Sequence, residues 1–277
     1  MIRERVISFG PNGALFGIAT MATEGPRRAP VLIPNAGIVH RVGPHRLHVR
    51  LARHLAAAGY PVLRFDLHGL GDSGPPPSEL GFEAQAVADI RAALDVMRAE
   101  EATVTGLCSG ADNAMRVAEA DDRIRRLILL DPHAYGSQHA AVARLVEKAA
   151  DPARWRRAAS RLLRGGQAVP PSSGKMQTDD EAERLPIPRD AFARQLLALK
   201  ERGGGALIRY TDFVQDTLTS PEHFYRAFPG IDFGAGLTVE VERGTDHTYT
   251  AMAAQQKLLK RIGEWLEKTE CAEDSAS

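Results

Sequence analysis

The sequence predicts an α/β fold: a mostly parallel eight-stranded sheet with helices on both faces and an inserted helical cap. Short apolar runs alternate along the chain with longer segments in which apolar residues recur every three or four positions. This is the pattern of strands alternating with amphipathic helices, and helical crossovers make successive strands parallel. A length of 277 residues suits one large domain with an insertion.

The elements follow one another with turn residues between them. Residues 3–9 and 14–21 alternate in polarity around Pro11-Asn12-Gly13 and predict a β-hairpin. The further predicted strands are 31–34, 61–67, 102–107, 126–130, 205–211 and 236–243. The predicted helices of the core are 44–58, 79–99, 110–120, 188–202, 221–228 and 249–267.

The strand–helix alternation pauses between about 133 and 187. Two helical patterns lie there, at 139–149 and 152–164, and a Gly/Pro/Ser-rich stretch follows them. We therefore expect a helical cap inserted into one core domain. The predicted organisation is core 1–132, cap 133–187, core 188–268 and a disordered tail 269–277.

Composition limits the partners. The formal net charge is zero, so no global field favours nucleic acid or an anionic membrane. No apolar run reaches the roughly 18–20 residues that span a bilayer, so we expect no membrane insertion. The two cysteines, Cys108 and Cys271, do not suggest a structural disulfide, which fits a reduced, cytoplasmic setting. The chain has no H-E-x-x-H, paired C-x-x-C or Walker motif, and we predict no metal or cofactor.

A candidate nucleophile lies in the segment Gly106-Leu107-Cys108-Ser109-Gly110. The segment has the G-x-nucleophile-x-G form, between a predicted strand and a predicted helix. At such a turn the central side chain is exposed at a helix N-terminus, which lowers the pKa of a thiol. Ser109 is one place past the apex, so its N–H should face an oxyanion while its hydroxyl points elsewhere. Cys108 is therefore the predicted nucleophile, and an inert buried cysteine is the alternative.

A base and an acid can be proposed from chain order. His247 follows the last predicted strand, where a histidine can reach over the sheet edge to Cys108. We expect the acid just past the strand at 205–211, where Asp212 and Asp216 compete. Asp216 is preferred because the loop must leave the strand before it turns back to the histidine.

The loop after the strand at 31–34 supplies a candidate oxyanion hole. Gly37 would let its backbone approach a substrate closely, and its N–H would act together with that of Ser109. The cation-rich stretch that follows contains His40 and Arg41. It is either a solvated helix entry or a site at the pocket mouth for a polar or anionic substrate group.

Taken together, these motifs resemble the α/β-hydrolase superfamily over nearly the whole chain. The resemblance rests on Asn35-Ala36-Gly37, the loop from Asp66 to Ser73, the segment Gly106–Gly110, and Gly244-Thr245-Asp246-His247. More narrowly, the chain looks like serine aminopeptidase-type and exosortase-associated bacterial hydrolases. It departs from them by carrying cysteine where serine is usual, as dienelactone hydrolases and polyhydroxyalkanoate synthases do. The resemblance implies acyl chemistry, and the cysteine shifts the expectation away from amide hydrolysis.

The expected function is acyl transfer or hydrolysis on a thioester or ester, by a Cys108-His247-Asp216 triad through an acyl-cysteine. The alternatives are a dienelactone-type hydrolase of small esters and a non-catalytic binding protein with the same fold. The expected partner is a small-molecule acyl donor, which an acyl carrier protein could present. The cap arginines around Trp155 are either a solvated helix face or a docking surface for such a carrier; they are Arg154, Arg156, Arg157, Arg161 and Arg164.

Overall fold

An eight-stranded sheet forms the centre of the computed structural model, which describes residues 1–25, 28–77, 79–136 and 187–274. The strands are β1 (Ile2–Phe9), β2 (Leu15–Ala22), β3 (Val31–Ile33), β4 (Val62–Asp66), β5 (Ala102–Leu107), β6 (Ile124–Leu130), β7 (Gly205–Tyr210) and β8 (Leu237–Val241). Their order across the sheet is β1-β2-β4-β3-β5-β6-β7-β8. β2 pairs antiparallel with both β1 and β4, and the other neighbouring pairs are parallel. The predicted α/β fold with a mostly parallel eight-stranded sheet is confirmed.

Helices connect the strands at the predicted places. They are α1 (Leu47–Ala57), α2 (Phe82–Val96), α3 (Ser109–Ala120), α4 (Arg189–Glu201), α5 (Pro221–Ala227) and α6 (Met252–Asp274). A short 3-10 helix, Asp212–Val214, follows β7 directly. Within the described ranges, no helix combines the length and the apolar character that a membrane span requires.

The two faces of the sheet carry separate hydrophobic cores. On one face, α1 and α6 pack through residues such as Leu51 and Trp265. On the other face, α2, α3, α4 and α5 pack through residues such as Ile90, Met115 and Phe192. Because successive side chains of a strand point to opposite faces, each central strand contributes to both cores. The alternation of strands and helices therefore buries both faces of the sheet. The edge formed by the carboxyl ends of the parallel strands is not covered in this way, and the candidate site lies there.

The carboxyl-terminal helix is longer than the sequence suggested. We expected a disordered tail from 269, but α6 continues to Asp274, so that prediction is wrong for 269–274. Glu270 forms an ion pair with Arg28 at 2.7 Å, and Arg28 also donates to the Tyr60 hydroxyl. The Thr269 hydroxyl donates to the Trp265 carbonyl. The Arg28 contacts tie this part of the helix to the core, and the Thr269 bond lies within the helix itself.

The two ends of the predicted insertion lie close together in the core. The Tyr135 hydroxyl donates to the Ile187 carbonyl at 2.6 Å and so joins them. The Tyr135 ring packs on Phe192 and Phe228, so the first residues of the predicted insertion belong to the core. The predicted cap helices at 139–149 and 152–164, with the arginines around Trp155, lie outside the described residues.

Candidate active site

Cys108 occupies a tight turn between β5 and α3, as the motif predicts. Its backbone has φ 58° and ψ −124°, a conformation that L residues rarely adopt. The flanking glycines make the turn possible. A Cβ on Gly106 would lie 2.1 Å from the Gly110 carbonyl oxygen, and one on Gly110 would lie 2.5 Å from the Asn35 carbonyl oxygen. The strained apex therefore depends on the glycine at both positions.

His247 reaches this turn from the loop after β8. Its imidazole interacts with the Cys108 side chain on one side, and its Nδ1 lies 2.8 Å from Oδ2 of Asp131 on the other. Burial alone lowers the pKa of His247, but the hydrogen bonds to Asp131 and Cys108 outweigh it and raise the pKa to about 9. The structure thus brings together the two residues predicted as nucleophile and base.

The carboxylate beside His247 is Asp131, not Asp216. Asp131 follows β6 directly, is fully buried and has φ 45°. Its carboxylate also accepts hydrogen bonds from the backbone N–H and the hydroxyl of Thr211, both at 2.7 Å. With all its partners supplied by the protein, this buried charge is held in one orientation.

The two aspartates that the sequence favoured do not contact His247. Asp216 is exposed, and Asp212 accepts the Gly244 N–H at 2.9 Å. The reason is the order of the strands, since β6 lies between β5 and β7 and its carboxyl end is next to the Cys108 turn. The chain turns straight into a 3-10 helix after β7, which carries the later aspartates away. The expectation that Asp216 holds the histidine is therefore wrong, and so is its alternative, Asp212.

The two residues predicted to form the oxyanion hole, Gly37 and Ser109, contact each other. Gly37 has φ 56°, and its N–H donates to the Ser109 hydroxyl at 3.0 Å. Ser109 is the first residue of α3, where a backbone N–H has no acceptor within the helix. The sequence predicts that the Ser109 hydroxyl points away from this donor. In the structure the hydroxyl oxygen instead accepts the Gly37 N–H.

Asn35 fixes the loop that carries Gly37. Its side-chain oxygen accepts the Leu67 N–H at 2.6 Å, and its amide donates to the Val39 carbonyl at 2.8 Å. The same amide donates to Asp66 at 3.0 Å. A buried side chain with all these partners holds the loop after β3 rigidly against β4, so the Gly37 N–H is fixed in place before any substrate arrives.

The cation-rich stretch is used internally. Arg41 is buried, pairs with Asp66 and Asp72, and lies 4.2 Å from the centre of the Phe16 ring. His40 also contacts Asp72, at 3.3 Å. Two carboxylates therefore neutralise Arg41, which favours a structural role over binding of an anionic substrate. His40, Asp66 and Asp72 are close enough to share a metal ion, but the guanidinium of Arg41 already pairs with both carboxylates.

Sequence reasoning missed Asp131 and Phe213. Asp131 satisfies the same chain order as the predicted acids, because it lies between Cys108 and His247. Its signal was an aspartate placed directly after a strand that ends in four apolar residues, Leu127–Leu130. Phe213 lies in the 3-10 helix after β7, and its ring stacks on the His247 imidazole with centroids 4.1 Å apart. No pattern in the sequence marks such a stack.

Comparison with known proteins supports the same architecture. The sequence model described as alpha/beta hydrolase fold matches residues 29–168, about half of the chain. A search of curated protein sequences found no match. Among solved structures, proline iminopeptidase from Mycobacterium smegmatis is 16% identical with a TM-score of 0.57, over 98% of this chain and 99% of that one.

Two further structures are similar to the same degree. DcsB in complex with its substrate analogue is 16% identical with a TM-score of 0.57, over 96% of this chain and all of that one. A meta-cleavage product hydrolase, CumD, is 17% identical with a TM-score of 0.56, over 95% and 98% of the two chains. Identities this low establish a shared fold and nothing about substrate. The chain belongs to the α/β-hydrolase fold family.

Proposed function

We propose that this protein is an acyl-transferring or acyl-hydrolysing enzyme that acts on a thioester or ester through an acyl-Cys108 intermediate. The observation that carries the proposal is the contiguous series Cys108, His247 and Asp131 at the carboxyl edge of the sheet. Cysteine stands at the strained apex, the imidazole contacts it, and a buried carboxylate holds the imidazole at 2.8 Å. These are the three roles that nucleophilic acyl transfer requires.

In the first half-reaction, His247 takes the proton of the Cys108 thiol. The resulting thiolate attacks the acyl carbonyl carbon, and the carbonyl π electrons move onto the oxygen. The N–H groups of Gly37 and Ser109 stabilise that oxyanion, each donor contributing about 3 kcal/mol in the transition state. To free the Gly37 N–H, the Ser109 hydroxyl rotates away as the substrate oxygen enters. When the intermediate collapses, the bond to the leaving thiolate or alkoxide breaks, and protonated His247 gives that group its proton.

In the second half-reaction, neutral His247 takes a proton from water or from an acceptor alcohol, thiol or amine. The acceptor attacks the acyl-Cys108 carbonyl, and the thiolate of Cys108 leaves. Asp131 stabilises the imidazolium and keeps the proton of His247 Nδ1 directed at itself, so that Nε2 is available to the reacting groups.

The cysteine decides which substrates fit best. A thioester donor and an acyl-cysteine are the same functional group, so acyl exchange between them is close to thermoneutral. An amide has a much poorer leaving group, and a thiolate is expelled from the tetrahedral intermediate in preference to an amine. We therefore infer activity on thioesters first, on activated esters second and on amides least.

The test is the release of the acyl group from a panel of thioesters, esters and amides, with and without added alcohol, thiol or amine acceptors. Turnover of thioesters that disappears in Cys108→Ala and survives in Ser109→Ala is the expected result. Acceptor-dependent acceleration identifies a transferase, and release to water alone identifies a hydrolase, including the dienelactone type. If no member of the panel turns over and iodoacetamide alkylates Cys108 no faster than the exposed Cys271, the proposal is wrong and a binding role is favoured.

A further inference from the structure

Phe213 lies at the surface beside the site and is not used in the chemistry described above. Its side chain is 45% exposed, yet its ring lies over the His247 ring with centroids 4.1 Å apart and planes 28° apart. A lone exposed phenylalanine needs no explanation, but one that covers the face of an imidazole in contact with Cys108 does.

The segment that carries Phe213 also holds the acid. The Thr211 N–H and hydroxyl both donate to Asp131 at 2.7 Å, and the Phe213 N–H donates to the Thr211 hydroxyl oxygen at 3.3 Å. Val214, the last residue of this 3-10 helix, is buried in the core. One short turn after β7 therefore fixes the carboxylate on one edge of the His247 ring and an aromatic ring on its face. This is the segment in which the sequence suggested the acid itself.

We propose that Phe213 is a positioning residue that holds the protonated His247 ring in line between Asp131 and Cys108. The inference rests on the proposed function for the importance of that pair. An aromatic face carries negative potential, so it attracts an imidazolium more strongly than a neutral imidazole. The stack also restricts rotation of the His247 ring about its Cβ–Cγ bond, and this keeps Nδ1 within hydrogen-bond distance of Asp131.

Other titratable residues lie on the elements around His247, and each makes contacts that do not involve the Phe213 ring. Asp131 faces it from the end of β6, and Cys108 faces it from the β5–α3 turn. Asp212, on the same 3-10 helix as Phe213, accepts the Gly244 N–H and lies 3.7 Å from Arg243. Asp246 accepts from Thr248 and Thr250. Replacing Phe213 with leucine leaves each of these contacts intact and removes the aromatic face alone.

The experiment is a titration of the His247 ring by NMR in histidine-labelled protein, with His247→Gln used to assign the signal. In Phe213→Leu we expect the acid dissociation constant of His247 to increase about two- to five-fold, as an exposed cation–aromatic contact predicts. Phe213→Tyr retains the ring and should titrate as the wild type does. Phe82→Leu is the matched control, because Phe82 is 52% exposed and belongs to α2, away from the site.

Two results would overturn the inference. One is a His247 titration in Phe213→Leu that matches wild type. The other is an equal change in Phe82→Leu, which would indicate a general effect on folding, or in Phe213→Tyr, which would show that the aromatic face is not the cause. The titration needs no substrate, so it also separates the two proposals. A shifted titration in a protein that turns over no acyl donor, and whose Cys108 is alkylated no faster than Cys271, would support this inference and refute the proposed function.

Discussion

Replacing Asp131 with asparagine tests the identity of the acid. In the structure, Oδ1 of Asp131 accepts the Thr211 N–H, and Oδ2 accepts both the Thr211 hydroxyl and His247 Nδ1. An asparagine whose oxygen stays on the Thr211 N–H turns its NH₂ group toward His247. Nδ1 must then accept rather than donate, which places the histidine proton on Nε2, facing Cys108. The imidazole becomes the wrong tautomer to remove a proton there.

The size of the effect follows from the charge that is lost. The pKa of His247 is raised from 6.5 to about 9 by Asp131 and Cys108 together, against the effect of burial. The net difference corresponds to about 3 kcal/mol, or a factor of about 300, in stabilising the imidazolium, and Asp131 is the larger of its two favourable causes. With the tautomer effect added, we expect kcat/KM to fall by about 10²- to 10⁴-fold.

The assay compares Asp131→Asn with Asp216→Asn in steady-state turnover of the best thioester, with a thermal melt of each variant as the control for folding. Asp216 is exposed, so its variant should keep turnover close to that of the wild type. A stable, fully active Asp131→Asn protein, or an Asp216→Asn variant with the larger loss, would refute the assignment.

Three further predictions concern the loop, the turn and a buried histidine. Ser109→Ala keeps both backbone donors and removes only the hydroxyl on the Gly37 N–H, so kcat/KM should stay within about ten-fold of wild type; a loss as large as that of Cys108→Ala would make Ser109 the nucleophile. Gly110→Ala places a Cβ 2.5 Å from the Asn35 carbonyl oxygen and should lower the free energy of unfolding by about 1–3 kcal/mol, and an unchanged denaturant midpoint would contradict this. Burial lowers the pKa of His48 from 6.5 to about 4, so its stabilising contribution is present above pH 6.5 and is lost as the pH falls toward 4. The wild type should lose up to about 3 kcal/mol more than His48→Gln over that range in denaturant titrations, and parallel curves would refute it.

Most of the architecture could be predicted because it depends on local patterns. The turn at Cys108 follows from glycines at fixed spacing between a strand and a helix, and Gly37 follows from a glycine after β3. His247 could be placed because any residue after the last parallel strand lies at the carboxyl edge of the sheet. These positions need only the order of elements along the chain.

The acid could not be chosen correctly because the choice depends on distances across the sheet. Asp131, Asp212 and Asp216 all lie between Cys108 and His247 in sequence and all follow strands. What separates them is that Asp131 turns inward at φ 45° and meets Thr211, whereas Asp212 turns toward Gly244. Hydrogen-bond donors at the end of the neighbouring strand decide which aspartate turns toward the site. The sequence does not show which donors lie beside each aspartate.

The end of α6 was missed for a similar reason. Residues 269–274 are mostly polar and locally resemble a tail, but they contain no glycine or proline to stop a helix. Their helix is held by Arg28, which is more than 200 residues away in the chain and whose ion pair with Glu270 only the fold brings together.

Intact mass after rapid quench determines whether Cys108 carries the acyl group. In a Cys271→Ser background, which leaves a single thiol, the protein is mixed with an acyl thioester, and the adduct is located by peptide mapping. We predict one acyl group per chain on Cys108, formed fast in the wild type and far more slowly in His247→Ala, and absent in Cys108→Ala. Acyl transfer to Ser109, or turnover with no adduct on Cys108 at any time, would contradict the account.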